Sequence, residues 1–135
     1  MKHLIVVVGP TAVGKTAVTV QLARHFGGEV LSADARQFYR EMSIGTAKPT
    51  AEEQGGVPHH FVDCRSIHDA YNVAQFEADA LARLDDLYRT QDVALLTGGS
   101  GLYVRAVTRG LDPVPPTAPA VRAVLDAQLN REGLA

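Results

Sequence analysis

The chain has 135 residues, 46% of them apolar and 21% charged, with a formal net charge of −2. That is the make-up of one globular domain with room for a real core, and it excludes a disordered tail and any general electrostatic pull toward nucleic acid. No apolar run approaches the ~18 residues of a membrane span, and the short run after Lys2 lacks a signal-peptide cleavage site, so a cytoplasmic, membrane-free setting is expected.

In chain order, Leu4 to Val8 is a short continuous apolar run, as expected of a parallel strand buried on both faces. Gly9 to Gly14 then reads as a loop and Lys15 to Phe26 as a helix. The predicted apolar stripe of that helix is Ala17, Val18, Leu22, Ala23 and Phe26, and Gly27-Gly28 ends it. A second strand, "EVLSAD", runs from Glu29 to a carboxylate at Asp34. "SIGTAKPT" and "EEQGGVPHH" carry the glycine and proline of loops, with at most one short helix. "HFVDC" (His60 to Cys64) has the make-up of a short strand.

Asn72, with Gln75 three residues on, predicts a capped helix through about Arg89. Val73, Phe76, Ala80, Leu81, Leu84, Leu87 and Tyr88 recur along it at helical spacing, and that stripe reads as core. "DVALLT" (Asp92 to Thr97) is another buried strand, and "GGSGLY" turns into a helix from about Leu102 to Arg109. After the proline-rich "LDPVPPTAP", a last helix begins near Ala118 with Val121, Val124, Leu125 and Leu129 on one face. This alternation predicts an α/β fold, a P-loop NTPase-like three-layer domain with a mostly parallel sheet.

The chemistry concentrates in "GPTAVGKT": Gly9, Pro10, Thr11, Ala12, Val13, Gly14, Lys15 and Thr16. Glycine spacing, Lys-Thr after the last glycine, a strand before and a helix after form the pattern that cradles phosphates on backbone N–H groups at a helix N-terminus. Lys15 would neutralise phosphate oxygens and the Thr16 hydroxyl would sit on a Mg²⁺ ion. A phosphoryl-transfer enzyme normally adds an apolar strand ending in Asp. Here "VALLTGGSG" ends without an acid, and the one strand-end carboxylate is Asp34. Ligands of open α/β sheets bind beyond the carboxyl ends of strands, so Asp34 is expected in the same crevice, as a metal ligand or a proton acceptor.

Other candidates weigh less. His59 and His60 are adjacent, point to opposite faces of a strand and have no third ligand, so a structural role is expected. Cys64 reads as a small buried side chain, and as a lone cysteine it forms neither a disulfide nor a metal cluster. Arg36, Arg40 and Lys48 form a basic strip beside the anion site, divided between solvated surface and RNA contact. Tyr39, Tyr71 and Tyr103 could stack on a base or pack in the core.

Taken together and in order, "GPTAVGKT", "SADARQFYREMSIGTAKP", "GVPHHFVD", "YNVAQF" and "GGSGLY" resemble the tRNA dimethylallyltransferase (tRNA isopentenyltransferase) family. The resemblance runs from Gly9 to Tyr103. It implies transfer of a dimethylallyl group from dimethylallyl diphosphate to the N6 amine of an anticodon-loop adenosine in tRNA, with diphosphate leaving. On that resemblance Asp34 is the catalytic base, Ser100 a hydroxyl aimed at the reacting centre, and Asp34, Ala35, Arg36 and Gln37 contact the tRNA. Ala35 stands where the family usually has serine, and Ser100 where it usually has threonine. Members of the family continue well past this length with a tRNA-gripping half, so residues 1–135 are expected to be the N-terminal portion, and a monomer. The alternatives are a small-molecule kinase, an isopentenyltransferase acting on free adenine nucleotides, and a diphosphate-binding domain without catalysis.

Overall fold

The computed structural model describes residues 1–134. Its elements are β1 (His3–Val8), α1 (Lys15–Phe26), β2 (Glu29–Ser32), α2 (Ala51–Gln54), β3 (His59–His60), α3 (Val73–Leu87), β4 (Val93–Gly98), α4 (Gly101–Arg109) and α5 (Pro119–Glu132). The four strands form one parallel sheet in the order β1-β4-β2-β3. Among the described residues no helix is long and apolar enough to cross a membrane.

The apolar runs of the inner strands follow from cover on both faces. Leu31, Ala94 and Leu96 pack with Phe76, Ala80, Leu84 and Leu87 of α3 and Val107 of α4. Val30 and Leu95, pointing the other way, pack with Val20 and Ala23 of α1. Helices on the two sides of a parallel sheet make the three-layer, P-loop-like architecture expected from the alternation of elements.

Several local expectations need correction. β1 is an edge strand, not one buried on both faces, and Val6 and Val8 are exposed. In α1 the buried positions are Thr19, Val20 and Ala23, while Ala17, Val18 and Phe26 are exposed. The Thr19 hydroxyl bonds to the Lys15 carbonyl and to Thr97 on β4, which turns that side of α1 to the sheet. Leu81 of the α3 stripe is also exposed. β2 ends at Ser32, two residues before Asp34, although Ala33 still donates to the Thr97 carbonyl. The "HFVDC" strand is absent: pairing stops at His60, and Phe61 and Asp63 take positive φ. Phe61 turns inward there and meets Phe76 edge to face, with ring centres 5.2 Å apart. α5 has no buried residue, and the face carrying Val121, Val124, Leu125 and Leu129 is exposed.

The caps agree with the sequence. Asn72 and Gln75 form a reciprocal capping box at the start of α3, and Gly27 closes α1 in the left-handed conformation. Thr50 and Glu53 form a second capping box at α2, which the sequence reading did not anticipate.

Candidate active site

The loop between β1 and α1 leaves the N-terminus of α1 open. Gly14 sits at the N-cap of α1 with φ 96°, a conformation open to glycine at no steric cost, and no side chain caps the helix. The first-turn N–H groups of α1 are therefore left without side-chain acceptors at the positive end of the helix dipole. Ala12 also has positive φ (64°), which bends the loop over that end. The Lys15 ammonium lies 2.6 Å from the Pro10 carbonyl, folded back across the loop it belongs to.

Asp34 reaches this region because β2 and β4 are pressed together at their carboxyl ends. A Cβ on Gly98 would overlap the Ala33 carbonyl oxygen and lie 2.5 Å from the Ala33 carbonyl carbon, so only glycine fits. Beyond this contact the Ser100 N–H donates to the Ala33 carbonyl at 3.3 Å, and the Ser100 hydroxyl accepts from the Ala35 N–H at 3.0 Å. The Asp34 carboxylate is oriented in turn by the Arg36 N–H, which donates to Oδ1 at 3.0 Å. Oδ2 stands on the side of Gly99, 4.0 Å from where a Cβ would be.

Two openings meet at Asp34. The larger is a cleft of about 420 Å³ lined by Thr11, Ala12, Gly14, Lys15 and Thr16 of the loop, by Ser32, Asp34 and Gln37 after β2, by Ala47, Lys48, Pro49, Glu53 and His59, and by Thr97 and Gly98 of β4. The smaller, about 190 Å³, is lined by Thr11, Asp34, Arg36, Gly45, Thr46, Gly99 and Ser100. Thr11 and Asp34 are common to both. Of the predicted site residues, Gly9, Pro10, Val13 and Ala35 line neither cleft.

Gln37 is the hub of the segment after Asp34. Its Oε1 accepts from the Ser32 hydroxyl at 3.0 Å, and its Nε2 donates to the carbonyls of Thr46 (3.3 Å) and Ala47 (3.1 Å). Both ends of its amide are thus engaged within the chain. Lys48 is likewise committed, to the Tyr39 carbonyl at 2.8 Å and Asp63 at 2.5 Å, with its side chain only 8% exposed. Arg36 and Arg40 stay exposed.

The aromatic candidates are spent on the core. Tyr71 and Tyr103 each lie 5.5 Å, centre to centre, from Phe38, which stacks on Phe76, and Tyr39 meets the same ring at 6.4 Å. Burial pushes the phenols of Tyr71 and Tyr103 up. Burial also raises the pKa of Cys64, which disfavours the thiolate a nucleophile needs.

His59 and His60 take separate partners, Val57 carbonyl and Glu29, and no group of three or more His, Cys, Asp or Glu among the described residues could hold a metal. The sequence reading did not anticipate Ser32, Pro49, Glu53, His59 or Thr97 as lining residues. Thr97 was legible in principle, as the last side chain before the glycines of β4. Of the rest, Ser32 ends β2, Pro49 precedes α2, Glu53 lies within α2 and His59 begins β3, positions that only the tertiary fold brings to one cleft.

The family model described as IPP transferase matches residues 37–135. The tRNA dimethylallyltransferases of Cytophaga hutchinsonii and Christiangramia forsetii are 51% and 47% identical, each over 98% of this chain and 44% of its own length. Among solved structures, the full-length tRNA isopentenylpyrophosphate transferase of Bacillus halodurans superposes with a TM-score of 0.80 at 41% identity, over 98% of this chain and 44% of that one. A eukaryotic dimethylallyltransferase acting on tRNA superposes with a TM-score of 0.77 at 25% identity, over 96% of this chain and 36% of that one. The chain thus spans under half the length of the relatives it matches. The family model covers well over half of the chain, and the two curated relatives also take in the phosphate loop and Asp34: the chain belongs to the IPP transferase family.

Proposed function

We propose that residues 1–135 form the P-loop α/β portion of a tRNA dimethylallyltransferase, acting in the cytoplasm on the anticodon stem-loop of tRNA. The observation that carries this reading is the position of Asp34 where the two openings join. The larger one has the loop, Lys15 and Thr16 to hold the diphosphate of dimethylallyl diphosphate. The smaller one, with Arg36 and Ser100 at its rim, would receive an adenosine turned out of its stack.

In the reaction the adenosine N6 forms a bond to C1 of the dimethylallyl group as the C1–oxygen bond breaks, and diphosphate carries away the electron pair. The amine becomes cationic as that bond forms, and its proton passes to the Asp34 carboxylate. A base so placed contributes about 10²–10⁴-fold. Charge develops on the leaving diphosphate, where the loop N–H groups, and the Lys15 ammonium once it leaves the Pro10 carbonyl, would stabilise it. The Ser100 hydroxyl holds the Ala35 N–H and so keeps the turn that presents Asp34.

The donor set also fits a magnesium ion. Mg²⁺ keeps several waters and is bound through substrate phosphates with few protein ligands. Thr16 lines the cleft beside Lys15, and its hydroxyl is the protein ligand such an ion would take. Such an ion would neutralise part of the diphosphate charge.

The test is Asp34→Asn in the full chain, assayed for prenyl transfer to an anticodon stem-loop RNA and for pyrophosphate affinity by calorimetry. The expected result is a loss of about 10²–10⁴-fold in transfer rate with affinity unchanged. A parallel fall in both would make Asp34 a metal or structural residue. Turnover of ATP in preference to dimethylallyl diphosphate would replace the reading with a kinase.

A further inference from the structure

Among the described residues four that are not glycine take a positive φ: Ala12, Ala47, Phe61 and Asp63. In that conformation Cβ crowds the backbone, and the strain persists only where neighbouring groups over-determine it. Ala12 belongs to the loop before α1, and Phe61 is held by its packing on Phe76. Ala47 (φ 50°) and Asp63 (φ 54°) lie far apart in the chain, and one side chain, that of Lys48, joins them.

Lys48 follows Ala47 directly. Its ammonium donates to the Asp63 carboxylate at 2.5 Å and to the Tyr39 carbonyl at 2.8 Å, while the side chain is only 8% exposed. A cation so withdrawn from water is tolerated only while its acceptors stay in place. Two of its three protons are thus spent on holding three stretches of chain together. On the other side of the strained residue, Gln37 Nε2 donates to the carbonyls of Thr46 and Ala47.

The bridge reaches Asp34 through hydrogen bonds alone. The Asp63 N–H donates to the Gln37 carbonyl, and the Gln37 N–H to the Asp34 carbonyl, each at 3.0 Å. The residues so restrained are those that divide the two openings. Gly45 and Thr46 line the smaller one, and Ala47, Lys48 and Pro49 the larger. Relaxation of Ala47 to negative φ would swing the chain on either side of it and reshape both openings at once.

We propose that Lys48 is a positioning residue: its ammonium holds Ala47 in the left-handed conformation and so keeps the wall between the two openings in register with Asp34. This rests on the reading of those openings as the places of diphosphate and adenosine, and it requires no contact between Lys48 and either one.

The experiment compares Lys48→Met, Ala47→Gly and the double variant with the parent in the full chain. Glycine takes a φ near 50° at no steric cost, so Ala47→Gly removes the strain that Lys48 restrains. The three-bond HN–Hα coupling and carbon shifts of Ala47 report its φ, and in Lys48→Met they should show it leaving the positive region. Prenyl transfer to a stem-loop RNA should fall about 10²-fold in Lys48→Met, as for a displacement of about 1 Å, with pyrophosphate affinity held within about threefold. The double variant should recover most of the rate, because glycine has no steric reason to leave, and Ala47→Gly alone should stay near the parent. Asp63→Asn, a residue type that tolerates positive φ, should give a smaller loss of the same kind, again recovered by Ala47→Gly, and it replaces Lys48→Met if that variant does not fold. An Ala47 that keeps its positive φ in Lys48→Met overturns the inference and leaves the proposed function standing, as does a parental transfer rate. A loss of rate that Ala47→Gly does not recover also overturns it, and an unrecovered loss of pyrophosphate affinity makes Lys48 a ligand contact instead. A parent chain that transfers no prenyl group overturns both.

Discussion

Gly98→Ala is the sharpest perturbation the structure offers, because one methyl group acts on both stability and the reacting carboxylate. The added Cβ would lie 2.5 Å from the Ala33 carbonyl carbon, and these are backbone atoms that cannot swing aside. Restoring an ordinary carbon–carbon separation of about 3.5 Å parts the ends of β2 and β4 by about 1 Å. Overpacking of this kind costs about 1–3 kcal/mol. The same separation strains the bonds from Ala33 N to Thr97 O, Ser100 N to Ala33 O and Ala35 N to Ser100 Oγ. Each contributes about 0.5–1.5 kcal/mol, so a total loss of about 2.5–7.5 kcal/mol is expected if all three are lost. That is a large share of the about 5–15 kcal/mol that holds a domain together. Where the protein still folds, Asp34 moves with the turn, and a displacement of about 1 Å costs about 10²-fold in transfer rate. Urea unfolding followed by circular dichroism reads the first effect, and prenyl transfer to a stem-loop RNA reads the second. Gly99→Ala is the control: its Cβ would meet Asp34 Oδ2 at 4.0 Å, an ordinary contact, and its midpoint should stay near that of the parent chain. A Gly98→Ala protein with parental midpoint and rate would refute the claim that the β2–β4 contact sets the position of Asp34.

Lys15→Ala removes the loop's ammonium and should weaken pyrophosphate binding about 10- to 100-fold, the value of a charge-assisted hydrogen bond. Calorimetry checks it, and unchanged affinity would remove the loop from the mechanism. Ser100→Ala leaves the Ala35 N–H without its acceptor and should lower stability by about 1 kcal/mol. Its transfer rate should fall while pyrophosphate affinity holds, and Ser100→Thr, which keeps the hydroxyl, should restore the rate.

What the sequence disclosed about the fold was whatever depends on local spacing. Continuous apolar runs identified the inner strands β2 and β4, the Asn72–Gln75 pair marked the start of α3, and Gly27 the end of α1. Sheet order depends on tertiary pairing, so the same reasoning gave β1 cover on both faces, whereas it lies at an edge with Val6 and Val8 exposed. The stripe of α1 failed for a related reason. Its orientation comes from the Thr19–Thr97 hydrogen bond and the loop before it, which periodicity cannot detect. The "HFVDC" segment had strand composition, but packing of Phe61 against Phe76 and a bond from the Asp63 N–H to the Gln37 carbonyl bend the chain.

The site divides along the same line. The loop and Asp34 are legible because their chemistry requires particular residues at short spacing. The far wall of the cleft is not, because it is assembled by Gln37. That side chain joins Ser32 at the end of β2 to the carbonyls of Thr46 and Ala47, and so folds residues 43–48 back over the sheet. The family resemblance implies that Gln37 contacts the tRNA. In the fold its amide is fully used inside the chain, so substitution there would disturb both clefts at once. Arg36, one residue earlier, is exposed at the smaller opening and free to meet a nucleotide. Neighbouring positions in one motif thus do different physical work: one shapes the cavity and the other faces whatever enters it.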